Sequence, residues 1–420
     1  MNKVLMIAFH YPPYCGGSGI QRTLKFSRYL PDHGWQPIIL TASPRAYSQV
    51  GYDQVNEIPA GVSVTRAFAL DTTQHLSIRG SYLRWMALPD RWISWWLGAV
   101  PGGLRVLRKY RPDLIWSTYP IATAHLIGLT LHRLTGSPWI ADFRDSMTED
   151  NYPRDPLTRR SYLWIEKQAI RHSSRLVFTT SSTREMYLNR YSELPPERCL
   201  VIPNGYDEED FQEIITSNIA KNLDHRPIRL LHAGVIYPDD RDPRPFFKAL
   251  SRLKKEGLIN TQSLRVDLRG SGSESYYSAI LKDLGIGDLV YLLPEVPYRQ
   301  ALQDCACADA LLLFQAASCN HQIPAKVYEY FRLRKPILAL TPIQGDTGGV
   351  LKEMGGATIV DLADEQAICC TVPRFLSAIR NGTHLLPDNT KIERYARKRQ
   401  TLELAKCLSQ LINTNLEGRS

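Results

Sequence analysis

Sulfur chemistry is the first thing this 420-residue sequence lacks. Its eight cysteines (Cys15, Cys199, Cys305, Cys307, Cys319, Cys369, Cys370 and Cys407) are scattered. None forms a C-x-x-C pair, and no His-Cys cluster has zinc-ligand spacing, which argues against a metal centre or a disulfide framework. Free thiols in a reducing cytoplasm are the expectation. No apolar run of 18 residues free of charge appears, so no membrane-crossing helix is expected. The start passes from Lys3 straight into a short strand-like run broken by His10 and two prolines, which is no signal peptide. A low-complexity basic arm and an aromatic-basic module are also missing, which argues against nucleic acid as a partner. The glycines of "CGGSG" lack the G-x-G-x-x-G spacing, and no acidic residue ends the next strand-like run. That argues against dinucleotide binding.

What is present is a soluble-protein composition, 44% hydrophobic and 22% charged, long enough for two domains of ordinary size. A net charge of +9 favours anionic ligands or surfaces without choosing among them. Apolar runs at 3–9, 36–42, 62–68, 112–120, 138–145 and 175–181 read as strands. They alternate with helical patterns at 18–33, 121–136, 162–174 and 183–191, and the segment 199–207 closes this half. A second series has strands at 228–235, 264–272, 289–297, 309–315, 335–342 and 357–363. Its helices are at 243–257, 274–285, 298–308 and 325–334. The polar stretch 206–227 is the natural linker. The expected fold is α/β: two Rossmann-like domains, 1–205 and 206–388, facing each other across a cleft. A basic helix within 389–420 follows and is expected to pack back on the first domain.

Six segments occur in an informative order: "FHYPPYCGGSGIQRTLKFSRYLPDHGW", "PWIADFRDS", "VIPNGYDEEDF", "LLHAGVIY", "RGSGSE" and "IPAKVYEYFRLRKPILAL". Together they resemble the retaining glycosyltransferases of family 4, which have the GT-B fold, and most closely the bacterial members that build capsule, exopolysaccharide or lipopolysaccharide. The resemblance implies a metal-independent, hexosyltransferase-like enzyme with no cofactor. Its donor would be a nucleotide-sugar and its acceptor a saccharide or lipid-linked saccharide.

The candidate residues follow piece by piece. Lys326 and Glu329 are i and i+3 near the start of one helix, with Pro324 suited to its first turn. A lysine at a helix N-terminus suits a diphosphate, and a nearby carboxylate suits ribose hydroxyls. In the family a second glutamate stands eight positions earlier; here that position is His321, followed by Gln322. After Gly234 the family places an arginine and, some six residues on, a lysine; here Val235 and Arg241 occupy those positions, with Arg244 nearby. Arg241 is expected to stabilise charge on the leaving group. The "PDDRD" run imitates a D-x-D metal site but is read here as no metal site. Gly270 and Gly272 resemble the family's nucleotide-side loop. Gly16 and Gly17 are expected to form a bare wall beside the donor.

On the acceptor side, Arg144 and Asp145 fall where the family has a histidine and an aspartate. Arginine cannot serve as a general base, so it is expected to orient a substrate, with Asp142 or Asp145 holding the acceptor hydroxyl. His10 is a further candidate facing the cleft. The segment 82–112 holds Trp85, Trp92, Trp95 and Trp96 among six basic residues. It suits contact with an anionic membrane and a lipid-carried acceptor, with Trp92 and Trp95 in that role, or else it is a helical insertion filling the first core. The expected location is the cytoplasm, peripheral on the inner face of the plasma membrane. Two alternatives stand: a non-catalytic partner of the same fold, suggested by Val235 and His321, and a nucleotide-sugar epimerase of the same architecture.

Overall fold

The structure, a computed structural model, describes residues 1–15, 19–212, 214, 226–238 and 241–417. Gly16, Gly17, most of the expected linker and the first two aspartates of "PDDRD" lie outside the described residues. The chain divides into two units, Met1–Pro203 with Arg397–Ser420, and Asn204–Ala396.

The first unit runs β1 (Asn2–Ile7), α1 (Gly19–Tyr29), β2 (Trp35–Ala42), β3 (Ser63–Ala67), α2 (Thr72–His75), α3 (Ser94–Tyr110), β4 (Leu114–Thr118), α4 (Ala122–Thr135), β5 (Trp139–Phe143), α5 (Pro156–His172), β6 (Arg175–Phe178), α6 (Ser181–Arg190) and β7 (Cys199–Val201). Its parallel sheet has the order β3-β2-β1-β4-β5-β6-β7. The central strands are apolar on both sides because both faces are covered. One core lies under α3, α4 and α5, around Trp95, Leu131, Trp139 and Phe143. The other lies under α1, around Leu24, Phe26, Trp35 and Trp116. Asp155 caps α5 by accepting the Thr158 N–H at 2.9 Å, and Pro156 fills the first helical position.

The second unit runs β8 (Ile228–Ala233), α7 (Arg244–Lys255), β9 (Leu264–Arg269), α8 (Glu274–Asp283), β10 (Val290–Leu293), α9 (Tyr298–Cys307), β11 (Ala310–Phe314), α10 (Lys326–Leu333), β12 (Ile337–Leu340), α11 (Asp346–Met354), β13 (Ala357–Val360), α12 (Glu365–Arg380) and α13 (Asn389–Ile392). Its sheet, also parallel, has the order β10-β9-β8-β11-β12-β13. The last helix, α14 (Arg397–Glu417), returns to the first unit, where it packs on α1 through Leu404, Cys407, Leu408 and Leu411. Residues 389–396 stay with the second unit.

Two doubly wound parallel sheets in one chain agree with the expected fold class. Each sheet reverses its strand order once, between β1 and β4 in the first unit and between β8 and β11 in the second. Ligands of open α/β sheets bind at such switch points, beyond the carboxyl ends of the strands.

Candidate functional site

At the switch point of the second unit, β8 ends in a turn at Gly234 (φ +109), whose N–H donates to the Arg269 carbonyl at 2.8 Å. A side chain here would be strained, and its Cβ would lie 3.0 Å from Lys326 Nζ. The turn is therefore bare where the lysine crosses it. β9, the neighbour of β8, is followed by a turn with Gly270 (φ +63) and Gly272 (φ +81), and the Ser271 carbonyl between them accepts the Ile236 N–H at 3.0 Å. The glycine turns after β8 and β9 are thus stitched together.

Lys326 opens α10, and its Nζ lies 3.0 Å from His232 Nε2. His232 is fully buried on β8, and its Nδ1 sits 2.9 Å from the Leu312 carbonyl. A carbonyl can only accept, so Nδ1 carries the ring proton and Nε2 is left to accept from Lys326. Burial and the neighbouring lysine hold His232 well below the usual histidine range, so the ring is neutral. Burial, and then the Arg241 charge, push the Lys326 amine down to about 7. Arg241 lies above the Tyr237 ring, 5.7 Å from its centroid, with Nη1 3.4 Å from the Val235 carbonyl. Its buried Nε has no partner among the described residues.

One turn below Lys326, Glu329 accepts a hydrogen bond from the Tyr298 hydroxyl at 2.9 Å. The loop after β11 carries His321 and Gln322, both half-buried. It is pegged by Gln315, whose side chain donates to the Cys319 and Gln322 carbonyls at 2.7 and 2.8 Å, and by Thr347, which donates to the Gln322 carbonyl at 2.9 Å. Arg244 is bound to Asp242 in an exposed ion pair at the start of α7, which leaves Arg241 as the cation turned toward Lys326.

The structure therefore brings Gly234, Arg241, Lys326 and Glu329 together at the carboxyl end of one sheet, with Gly270 and Gly272 on the adjoining strand. His232, Tyr298, Gln315 and Thr347 were not singled out from sequence. The signal for two of them is visible in retrospect: a histidine inside "LLHAG" and a glutamine ending "ALLLFQ" are polar intrusions into buried strands.

The first unit is different. His10 stacks on Tyr14 with centroids 4.5 Å apart. A Cβ on Gly19 would fall 2.7 Å from His10 Nδ1 and 3.0 Å from Arg144 Nη1, so both side chains converge over the start of α1, and the glycine makes room for them. Burial, and then the Arg144 charge, lower His10 to about 3, which keeps it neutral. Asp145 is half-buried beside Arg144.

Asp142, Trp92 and Trp95 do not have the open positions expected of them. Asp142 is not an open carboxylate: it is fully buried, with Arg22 donating to both its oxygens at 2.8 and 2.9 Å and Thr118 adding a bond at 3.0 Å. It locks α1 to β5. Trp92 and Trp95 do not face outward either. Trp95 is fully buried, and Trp92 packs on Phe9 with its indole N–H bonded to the Ala46 carbonyl at 3.1 Å. The helical insertion filling the core is what the structure contains. Among the described residues no group of three or more His, Cys, Asp or Glu side chains is placed to hold a metal ion.

Two doubly wound units with switch points define the GT-B class of fold, and solved structures agree. Sucrose-phosphate synthase from Thermosynechococcus elongatus superposes with a TM-score of 0.64 at 13% identity, covering 99% of this chain and 100% of the other. HepE of Anabaena, solved in complex with UDP-glucose, gives 0.62 at 13% identity, covering 97% and 99%. WaaG, a glycosyltransferase involved in lipopolysaccharide biosynthesis, gives 0.62 at 14% identity, covering 97% and 99%. At such identity the likeness is one of fold. The family comparison narrows the first unit: residues 17–205 match the glycosyl transferase 4-like domain. No curated protein matches the chain in sequence.

Proposed function

We propose that this protein is a glycosyltransferase that moves a sugar from a nucleotide-sugar to a saccharide or lipid-linked saccharide, with retention, in the synthesis of cell-surface polysaccharide. The observation that carries the reading is the placement of Lys326 at the switch point of the second sheet. It stands at the head of α10, against a bare glycine turn, with Arg241 as a second cation. Two cations beside a helix N-terminus suit a diphosphate and the charge that develops on it as the glycosidic bond breaks. In this reading Glu329, one turn on, takes ribose hydroxyls, and His321 or Gln322 the donor sugar. The glycosyl transferase 4-like match over residues 17–205 and the UDP-glucose held by HepE support a nucleotide-sugar donor.

In this scheme Lys326 and Arg241 hold the departing nucleoside diphosphate, and the acceptor hydroxyl attacks from the face the leaving group vacates. Arg144 and Asp145 orient that acceptor, while His10, neutral, shapes the wall beside them. The leaving-group charge is met by side chains and the helix end, so the scheme routes no step through a metal. The enzyme works in the cytoplasm, at the membrane that carries its acceptor.

The test is thermal-shift screening against nucleoside diphosphates and their sugars, followed by transfer assays with and without membranes. A nucleotide-sugar that stabilises the protein and is turned over supports the reading. If none binds, and Lys326→Ala and Glu329→Ala change nothing, the reading fails.

A further inference from the structure

Three helices of the first unit lie side by side, α3 against α4 and α4 against α5. Their inner faces fill the core, so their outer faces are protein surface. Among the described residues, the three helices bring no exposed carboxylate to that surface. Helices α3 and α4 contain no Asp or Glu. The sole acid of α5, Glu166, is fully buried, where Thr148, Tyr187 and Arg190 bind it. Cations occupy the outer positions instead: Arg105, Arg108 and Lys109 on α3, Arg133 on α4.

The outer face of α5 is the most developed. Leu157, Arg160, Trp164, Lys167 and Arg171 follow one another at steps of three and four residues and so form a single stripe. Leu157 is 44% exposed and Trp164 49%. The opposite face of the same helix is already apolar, with Tyr162, Ile165, Ala169 and Ile170 in the core. Core packing therefore does not explain the exposed pair.

A tight turn adds to the patch. Ile78 and Ser81 exchange backbone hydrogen bonds at 2.8 and 3.0 Å around Arg79 (φ 52) and Gly80 (φ 79). The turn and the residues after it hold Ile78, Leu83 and Trp85 in solvent, at 80%, 61% and 68% exposure. An ion pair from Arg84 to Asp155, the capping residue of α5, ties this segment to the start of the stripe and neutralises that carboxylate.

We propose that this face, the outer side of α3 to α5 together with the 78–85 turn, docks on an anionic lipid bilayer. Leucine and tryptophan side chains enter the interfacial layer, and the interleaved arginines and lysines meet lipid phosphates. Exposed leucine and isoleucine gain nothing from a nucleic-acid backbone, and a uniformly positive face repels a second copy of itself. Those two points favour lipid among polyanionic and protein occupants. The inference extends the membrane side of the proposed function and relocates it from Trp92 and Trp95, which are core. It is independent of the donor chemistry.

The experiment is flotation of the full chain with phosphatidylcholine vesicles, with and without phosphatidylglycerol. Binding should be at least about tenfold stronger with the anionic lipid and fall as salt rises. The pair Leu157→Glu with Trp164→Glu, and separately Leu83→Asp with Trp85→Asp, should each remove most of it. These sites are exposed, so an unchanged melting temperature and an unchanged shift with UDP are expected in both variants. Equal binding to neutral vesicles, no binding, or variants that bind like the parent would overturn the proposal. So would a concentration-dependent dimer that the same substitutions abolish. Vesicle binding that persists in a protein that ignores every nucleotide would leave this inference standing and remove the transferase reading.

Discussion

The two switch points are built from similar residues and are in opposite electrostatic states. In the first unit Asp142, at the end of β5, is answered by Arg22 and Thr118, and His10 is held neutral beside Arg144. In the second unit Lys326 and Arg241 oppose each other, and Lys326 leans on a neutral histidine. The Asp142 charge of the first unit is matched by Arg22 within the protein and so acts as structure. The second unit holds an uncomfortable excess of positive charge, which an anion would relieve. A diphosphate would relieve that excess, and this is the ground for proposing phosphate binding in the second unit.

Removing one partner of the matched pair should give the largest effect. Asp142→Ala leaves the guanidinium of Arg22 buried without its counter-charge, with the Pro203 carbonyl still accepting from it at 3.1 Å, which should destabilise the protein by about 3–5 kcal/mol. Chemical denaturation would measure it. Activity per folded molecule should change little, and a selective loss of acceptor affinity with intact stability would contradict the structural role. The unmatched site should respond in the opposite way. Lys326→Ala should lower kcat/KM by about 100-fold, roughly 3 kcal/mol of lost charge stabilisation. Its melting temperature without ligand should stay level or rise, because a strained cation has gone. If Lys326→Ala melts markedly lower instead, the contrast between the two units is wrong.

The contrast was only partly legible in sequence. Strands such as "KVLMIAF" and "ALLLFQ" are apolar because both sheet faces are covered, and that pattern reads directly. The three-residue β7 did not, being too short to show a period. Helix α3 was legible only as one of two readings of 82–112, because Pro101 and three glycines lower helix propensity. The structure explains one of them: a Cβ on Gly98 would meet the Phe68 carbonyl at 2.4 Å, so the helix needs glycine to lie against the chain after β3. Helix α5 begins six residues before the apolar pattern does, and its start was written instead in the Asp155-Pro156 cap. In the site, Lys326 and Glu329 were legible because helical spacing places them. Asp142 was misread because its partner Arg22 lies 120 residues away, and no local pattern reports a pair made by tertiary folding.

A pH series sharpens the comparison at lower amplitude. Lys326 carries its charge below about 7 and loses it as pH rises through that value. A bound diphosphate favours the charged form, so affinity for UDP should weaken by up to about tenfold per pH unit above 7, with close to one proton taken up on binding. Calorimetry in two buffers of different ionisation enthalpy would read that proton. The stability of the free protein has the opposite slope. The unfolded lysine keeps its proton up to about pH 10.4, so between the two values the unfolded chain binds more protons and folding gains as pH rises. Lys326→Met should flatten both trends, and a proton uptake that survives the substitution would mean that another group titrates.

The smallest expected effect isolates how the lysine is aimed. His232 touches no solvent, and its tautomer is fixed by the Leu312 carbonyl, so its ring nitrogen Nε2 is a stationary acceptor for Lys326 Nζ. His232→Phe keeps the ring volume and removes that acceptor. One lost hydrogen bond to a charged group is worth about 1.5 kcal/mol, so UDP affinity should fall by about tenfold at most. That is well short of the Lys326→Ala effect, because the cation itself remains. Glutamine at 232 can present an oxygen near the position of Nε2, so His232→Gln should recover part of the loss, which a purely volumetric role for the histidine would not allow. Comparing the phenylalanine and glutamine variants at pH 6.5, where Lys326 is mostly charged, separates aim from charge. If both lose equally, His232 only fills space, and Lys326 is positioned by α10 alone.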